Sequence, residues 1–192
     1  MAGKAVRART QTMMLSTPRL HLWSLERHDL MKNYGWANQR NLIRLTGMPP
    51  FPKTAAELER WFDTLAGRSD LRIFAIKTKE GEYMGNVELR DIEPTAGRAE
   101  MGIFLAAPEA RGHGYGREAL RGVIDFAFRD LRMHRLSARI LEHNAPARKA
   151  FESCGFQAEG VEREAHWDRG QFWNICCYGL LASEWNAEPV ID

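Results

Sequence analysis

The spacing of apolar and polar residues divides the chain into short elements. "RLHLWSL" (19–25) alternates as a half-buried strand does, and "RHDLMKNYGWANQ" (27–39) follows as a short helix. "PPFPKTAAELERWFDTLAG" (49–67) is punctuated by prolines. Within it Thr54 and Glu57 supply a T-x-x-E capping box, and Gly67 supplies a stop, so a second helix is predicted. "LRIFAIK" and "YMGNVELRDI", joined by "TKEGE", predict a β-hairpin, and "AEMGIFLA" adds a third strand. From about Gly116 to Leu131 the period changes to that of a helix, with Leu120, Val123, Ile124, Ala127 and Leu131 on one face. "RLSARILEH" resumes strand character, "NAPARKAFESCGF" is a helix closed by Gly155, and the final hairpin turns around Asp168 to Gln171. The order is β α α β β β α β α β β, an antiparallel meander followed by a strand, helix, strand unit whose crossover is right-handed and parallel.

Composition narrows this picture. A chain of 192 residues, 44% hydrophobic and 27% charged, fits one globular α/β domain, expected over residues 17–187. Residues 1–16 carry Lys4, Arg7 and Arg9 with no acid and are expected to be a disordered basic tail; 188–192 form a second tail. Met13 and Met14 offer alternative starts. No apolar run approaches the roughly 18 residues of a membrane span, and a net charge of +2 gives no argument for nucleic acid. Cys154, Cys176 and Cys177 have neither disulfide nor zinc spacing, so no metal and a reducing, cytoplasmic setting are expected.

One stretch carries chemistry. In "ARGHGYGREAL", Gly112, Gly114 and Gly116 precede the long amphipathic helix. Glycines tolerate positive φ and let successive N–H groups turn toward an anion, and a helix start adds the positive end of its dipole. A phosphate is the expected guest. The spacing is G-x-G-x-G: Arg117 stands where a dinucleotide-binding loop has glycine, and no G-K-[ST] follows, so NAD and nucleoside triphosphates fit poorly.

Arg111-Gly112-His113-Gly114-Tyr115-Gly116 resembles the [RQ]-x-x-G-x-[GA] signature of the GNAT superfamily of N-acetyltransferases, and the resemblance extends from Pro18 to Trp185 through "NVELRDI", "NAPARKAFESCGF" and "YGLLASEW". Among its branches the chain looks most like the ribosomal-protein N-terminal acetyltransferases, with spermidine acetyltransferases next. The resemblance implies a mixed, mostly antiparallel sheet with helices on both faces, acetyl-CoA as co-substrate and direct transfer to a primary amine. It implies that Arg111, Gly112, His113, Gly114, Tyr115, Gly116 and Arg117 hold the coenzyme pyrophosphate. The main chain of Ile103, Phe104 and Leu105 would pair with the pantetheine arm, and Asn144 would line the opening beside it. Asn144 is equally suited to cap the following helix. Homodimers are frequent among such proteins.

Amine acetylation needs a base, and Glu88 and Glu100 on adjacent predicted strands are the candidates. The usual acids are missing: the family's tyrosine position holds Phe151, and the serine of N-x-x-S is replaced by Ala147. Tyr115 and Tyr178 are the remaining hydroxyl donors without a defined place. Neutralising an α-amine at pH 7 costs about 1 kcal/mol, against roughly 4.6 for a lysine-like amine. A sparse acid–base apparatus therefore tilts the reading toward a protein or peptide N-terminus, with polyamines, aminoglycosides and amino sugars as the alternative. Trp36, Phe51, Trp61 and Phe62 would wall the acceptor side. A non-catalytic acyl-CoA-binding module is the competing class.

Overall fold

The computed structural model describes residues 15–186. Its eight strands are β1 (Leu15–Ser16), β2 (Leu20–Ser24), β3 (Arg72–Thr78), β4 (Tyr83–Glu93), β5 (Arg98–Leu105), β6 (Arg135–Leu141), β7 (Gln157–Asp168) and β8 (Gln171–Leu181). The helices are α1 (Leu30–Ala37), α2 (Arg40–Thr46), α3 (Ala55–Leu65), α4 (Tyr115–Arg129) and α5 (Ala145–Glu152). All eight strands form one sheet, ordered β1-β2-β3-β4-β5-β6-β8-β7, antiparallel except for the β5–β6 pair. The hairpins and the parallel crossover lie where the hydrophobic pattern predicts them.

Two boundaries differ. The single early helix is instead a short 3₁₀ turn followed by α1 and a separate α2. In α2 the buried residues are the neighbours Leu42 and Ile43, too few to mark a helical period, and Gly47 ends the helix at φ +70°. At the N-terminus Leu15 and Ser16 pair with Leu22 and His21, so the sheet begins inside the expected tail. The rest of that tail, residues 1–14, and residues 187–192 lie outside the described residues.

Strand alternation sorts the core into two layers. Leu22, Phe74 and Ile103 face α4: Phe126 meets Phe74 edge-on at 5.7 Å, and Gly122 lets Leu22 approach so closely that a Cβ there would stand 3.0 Å from its methyl. Asn86, Glu88, Arg90, Gly102 and Phe104 lie on the opposite face, where Trp36 of α1 packs on Tyr83 and Phe104. An ion pair, Lys77 to Asp29 at 2.9 Å, is buried on this side, each side chain no more than 4% exposed.

One irregularity positions everything that follows. β5 and β6 pair only through Arg98 with Arg135, Ala99 with Leu136 and Glu100 with Ser137. Beyond Glu100 the strands separate. β5 keeps β4 on one side, but Met101 to Leu105 have no strand partner on the other.

Candidate active site

The separation opens a cavity of about 530 Å³ through the sheet. Ile103, Phe104, Asn144, Ala147 and Phe151 line one wall, while Asn33, Leu58 and Trp61 contribute from the early helices. Asn86, Glu88 and Arg90 of β4 form its floor. A main-chain edge with no partner inside a cavity is a place for an extended polar ligand to complete the sheet.

The glycine loop enters α4 at one end of β5. Gly112 has φ +77° and Gly114, the residue preceding the helix, φ +80°. Among the described residues, the N–H groups of Gly114 to Arg117 have no main-chain acceptor, and no side chain caps the helix. The loop is braced from outside: Arg111 donates to the Ala106 carbonyl at 3.1 Å, and Arg19 donates to the His113 carbonyl at 2.9 Å. Arg19 also pairs with Glu118 and lies 4.6 Å over the Tyr115 ring. Arg19 and Glu118 are 99 residues apart, and no local pattern joins them. The anchors leave the inward N–H groups free to meet an anion at the positive end of a helix.

Of the two candidate bases, only Glu88 lines the cavity. Burial pushes its carboxyl above the ordinary range, and the charge of Arg90 pulls part of the way back. It has no ion-pair partner among the described residues. Glu100, the other candidate base, accepts from Arg90 at 2.8 Å and is not part of the lining.

The remaining expectations separate in the same way. Ile103 and Phe104 line the cavity; Leu105 lies beyond it, 3.9 Å from where a Cβ on Gly116 would stand. Asn144 caps α5, accepting from the Ala147 N–H at 3.2 Å, and its amide donates to the Leu45 carbonyl at 2.8 Å, tying α2 to the cavity rim. Both of its polar ends are thus engaged while it lines the opening. Tyr178 is buried outside the lining, donating to Glu152 at 2.8 Å and accepting from Arg148 at 3.0 Å. Burial pushes the Cys154 thiol up to about 11 and raises Cys177 as well, which disfavours a thiolate nucleophile at either. Of the four expected aromatics Trp61 reaches the cavity, Trp36 is core, Phe62 packs under Arg27, and Phe51 is 69% exposed.

Arg90 is the residue that sequence reasoning passed over. It stands two residues after Glu88 on the same strand face, a period that was available in "NVELRD".

A sheet split by a cavity, with a phosphate-ready loop beside the split, defines an acyl-coenzyme A transferase fold. The family model described as "Acetyltransferase (GNAT) domain" matches residues 19–157, and the chain belongs to this family. It is an N-acetyltransferase with acetyl-CoA as co-substrate. Spermidine N(1)-acetyltransferase of Vibrio cholerae is 28% identical over 166 residues, covering 86% of this chain and 95% of that protein. The crystal structure of spermidine N-acetyltransferase from Vibrio cholerae with CoA and spermine superposes with a TM-score of 0.81 at 28% identity, over 86% of this chain and 96% of that one. YdaF of Bacillus subtilis, provisionally assigned as a ribosomal N-acetyltransferase, is 29% identical but over 57% of this chain and 59% of its own length. The ordering of branches read from the sequence is therefore reversed: the likeness to the spermidine enzymes is the broader one. Within residues 15–186 no helix is long and apolar enough to cross a membrane.

Proposed function

We propose that this N-acetyltransferase acetylates a primary amine of a small, cationic molecule of polyamine type, with Glu88 as the base. The observation that carries the reading is the half-buried Glu88 carboxylate on the floor of a cavity that passes through the sheet. The charge around it supports a cationic acceptor. Arg68, Arg90 and Arg139 line the cavity, but each is matched by a carboxylate outside the lining, Asp70, Glu100 and Glu162. What remains in the lining is Glu57, Glu88 and Asp91 against Lys53. The relatives named for spermidine, which match most of the chain, point the same way.

Acetyl-CoA supplies the thioester; the protein's part is to hold it and move protons. The N–H groups of Gly112 to Arg117 bind the pyrophosphate, and the free edge of β5 from Ile103 to Leu105 aligns the pantetheine arm. A main-chain N–H at Phe104 or Leu105 stabilises the developing oxyanion. Glu88 takes the ammonium proton, directly or through one water, and its raised affinity for protons brings it nearer to the amine it serves. Phe151 and Ala147 offer no acid, and the leaving thiolate, whose thiol has a pKa of roughly 8.5, can take its proton from water.

The test is release of coenzyme A thiol from acetyl-CoA with separate pools of polyamines, amino sugars, aminoglycosides and peptides with free N-termini. Release is expected with polyamines, rising toward alkaline pH as the acceptor loses its proton. Release with peptides alone would overturn the small-amine reading.

A further inference from the structure

Around the base stands a charged group on the facing strands β4 and β5. Glu88 on β4 lies opposite Gly102 on β5, and Arg90 lies opposite Glu100. The four positions form a rectangle on one sheet face, and one corner has no side chain. A Cβ on Gly102 would stand 3.2 Å from one Arg90 terminal nitrogen and 3.4 Å from its Cζ. The glycine therefore makes the trough in which the guanidinium lies, between Glu88 and Glu100. One arm of the fork donates to Glu100 at 2.8 Å, while the Arg90 Nε–H is buried without a partner.

Building on the assignment of Glu88 as base, we infer that Arg90 and Glu100 are positioning residues that set the proton affinity of Glu88. Arg90 holds a positive charge near the Glu88 carboxylate; Glu100 takes up part of that charge and fixes where it sits. Of the other charges around the cavity, most are already matched. Arg139 on β6 is matched by Glu162 of β7. Arg68 is matched by Asp70, and the Glu57 carboxylate accepts from the Thr54 main chain at the start of α3. Lys53 and Asp91 also line the cavity, Asp29 is closed off by Lys77, and the nearby Tyr83 hydroxyl is neutral and donates to Asn86. The pair accordingly acts in two opposed senses. Removing Arg90 makes Glu88 harder to ionise, whereas removing Glu100 leaves Arg90 uncompensated and makes Glu88 easier to ionise.

The experiment is a ¹³C NMR titration of the glutamate carboxylates in the full-length protein, the Glu88 signal being assigned by its loss in Glu88→Gln. The Glu88 midpoint should rise by about one pH unit in Arg90→Met and fall in Glu100→Gln, a nearby opposite charge being worth about one to three units. Arg90→Lys, which keeps the charge, should stay near the wild-type midpoint and guards against a variant that simply folds poorly. Midpoints that stay fixed, or that move together in both variants, overturn the inference. The acetylation rate measured at a pH below the midpoint should follow, about tenfold down in Arg90→Met and up in Glu100→Gln. Midpoints that move as expected with a rate that ignores them sustain the inference about the pair and overturn the base assignment of Glu88 instead.

Discussion

Gly114 and Gly116 are two residues apart, yet substituting each with alanine should have opposite effects. At Gly114 a Cβ would meet nothing closer than an Arg19 terminal nitrogen at 3.5 Å, so space is not the obstacle. The obstacle is φ, +80°, where an L-residue with a Cβ is about 1–2 kcal/mol uphill. If Gly114→Ala relaxes away from that conformation, the N–H groups of Tyr115 and Gly116 turn from the phosphate. The binding-competent population falls by the corresponding factor, and coenzyme A affinity drops about 5- to 30-fold. At Gly116 the backbone is helical, and a Cβ would rest 3.5 Å from Ile103 and 3.9 Å from Leu105, ordinary packing distances. Gly116→Ala should stabilise the fold by about 0.5–1 kcal/mol, the helical cost of glycine, and leave affinity within about twofold. Isothermal titration with coenzyme A and urea unfolding of the free proteins measure both quantities. Equal losses of affinity at the two positions, or none at either, would refute the argument that the loop binds phosphate through its left-handed turn.

Two further outcomes test the core and the site. Lys77→Met strands the Asp29 carboxylate in a site where the pair is at most 4% exposed, and urea unfolding should show a loss of about 3–5 kcal/mol, with part restored in the double variant Lys77→Met, Asp29→Asn. A loss under about 1 kcal/mol would mean the pair is solvated. Because burial raises the Glu88 pKa in the folded state, wild-type stability falls as pH rises from the unfolded value through the folded one. Glu88→Gln should therefore match wild type near pH 4 and exceed it progressively toward pH 8, by about 1.4 kcal/mol for each unit of the rise. A stability difference that does not change with pH would contradict the burial argument.

How much of this was legible in the sequence depends on whether the determinant is local. The meander, the crossover and the capping box at Thr54 follow from periodicity and short spacings, and the structure places each where expected. The glycine loop was equally legible because positive φ selects glycine residue by residue. The separation of β5 and β6 was not, since "AEMGIFLA" reads as an ordinary strand and the loss of its partner after Glu100 is a property of two segments together. Which of Glu88 and Glu100 faces the cavity was not legible for the same reason: Arg90 engages Glu100 through a contact across β4 and β5. The tilt toward a protein N-terminus leaned on missing acids, Phe151 and Ala147, and an absence is weak evidence about what the acceptor is.

The three-residue pairing between β5 and β6 has a mechanical side. It makes the eight-stranded sheet two rafts, one of five strands and one of three, riveted at a single short point and otherwise bridged by helices. The glycine loop and Glu88 belong to the first raft, and the α5 wall of the cavity stands beside the second. Whatever fills the gap is therefore also the brace between them, and the stiffness of the molecule becomes a function of how much of it is loaded.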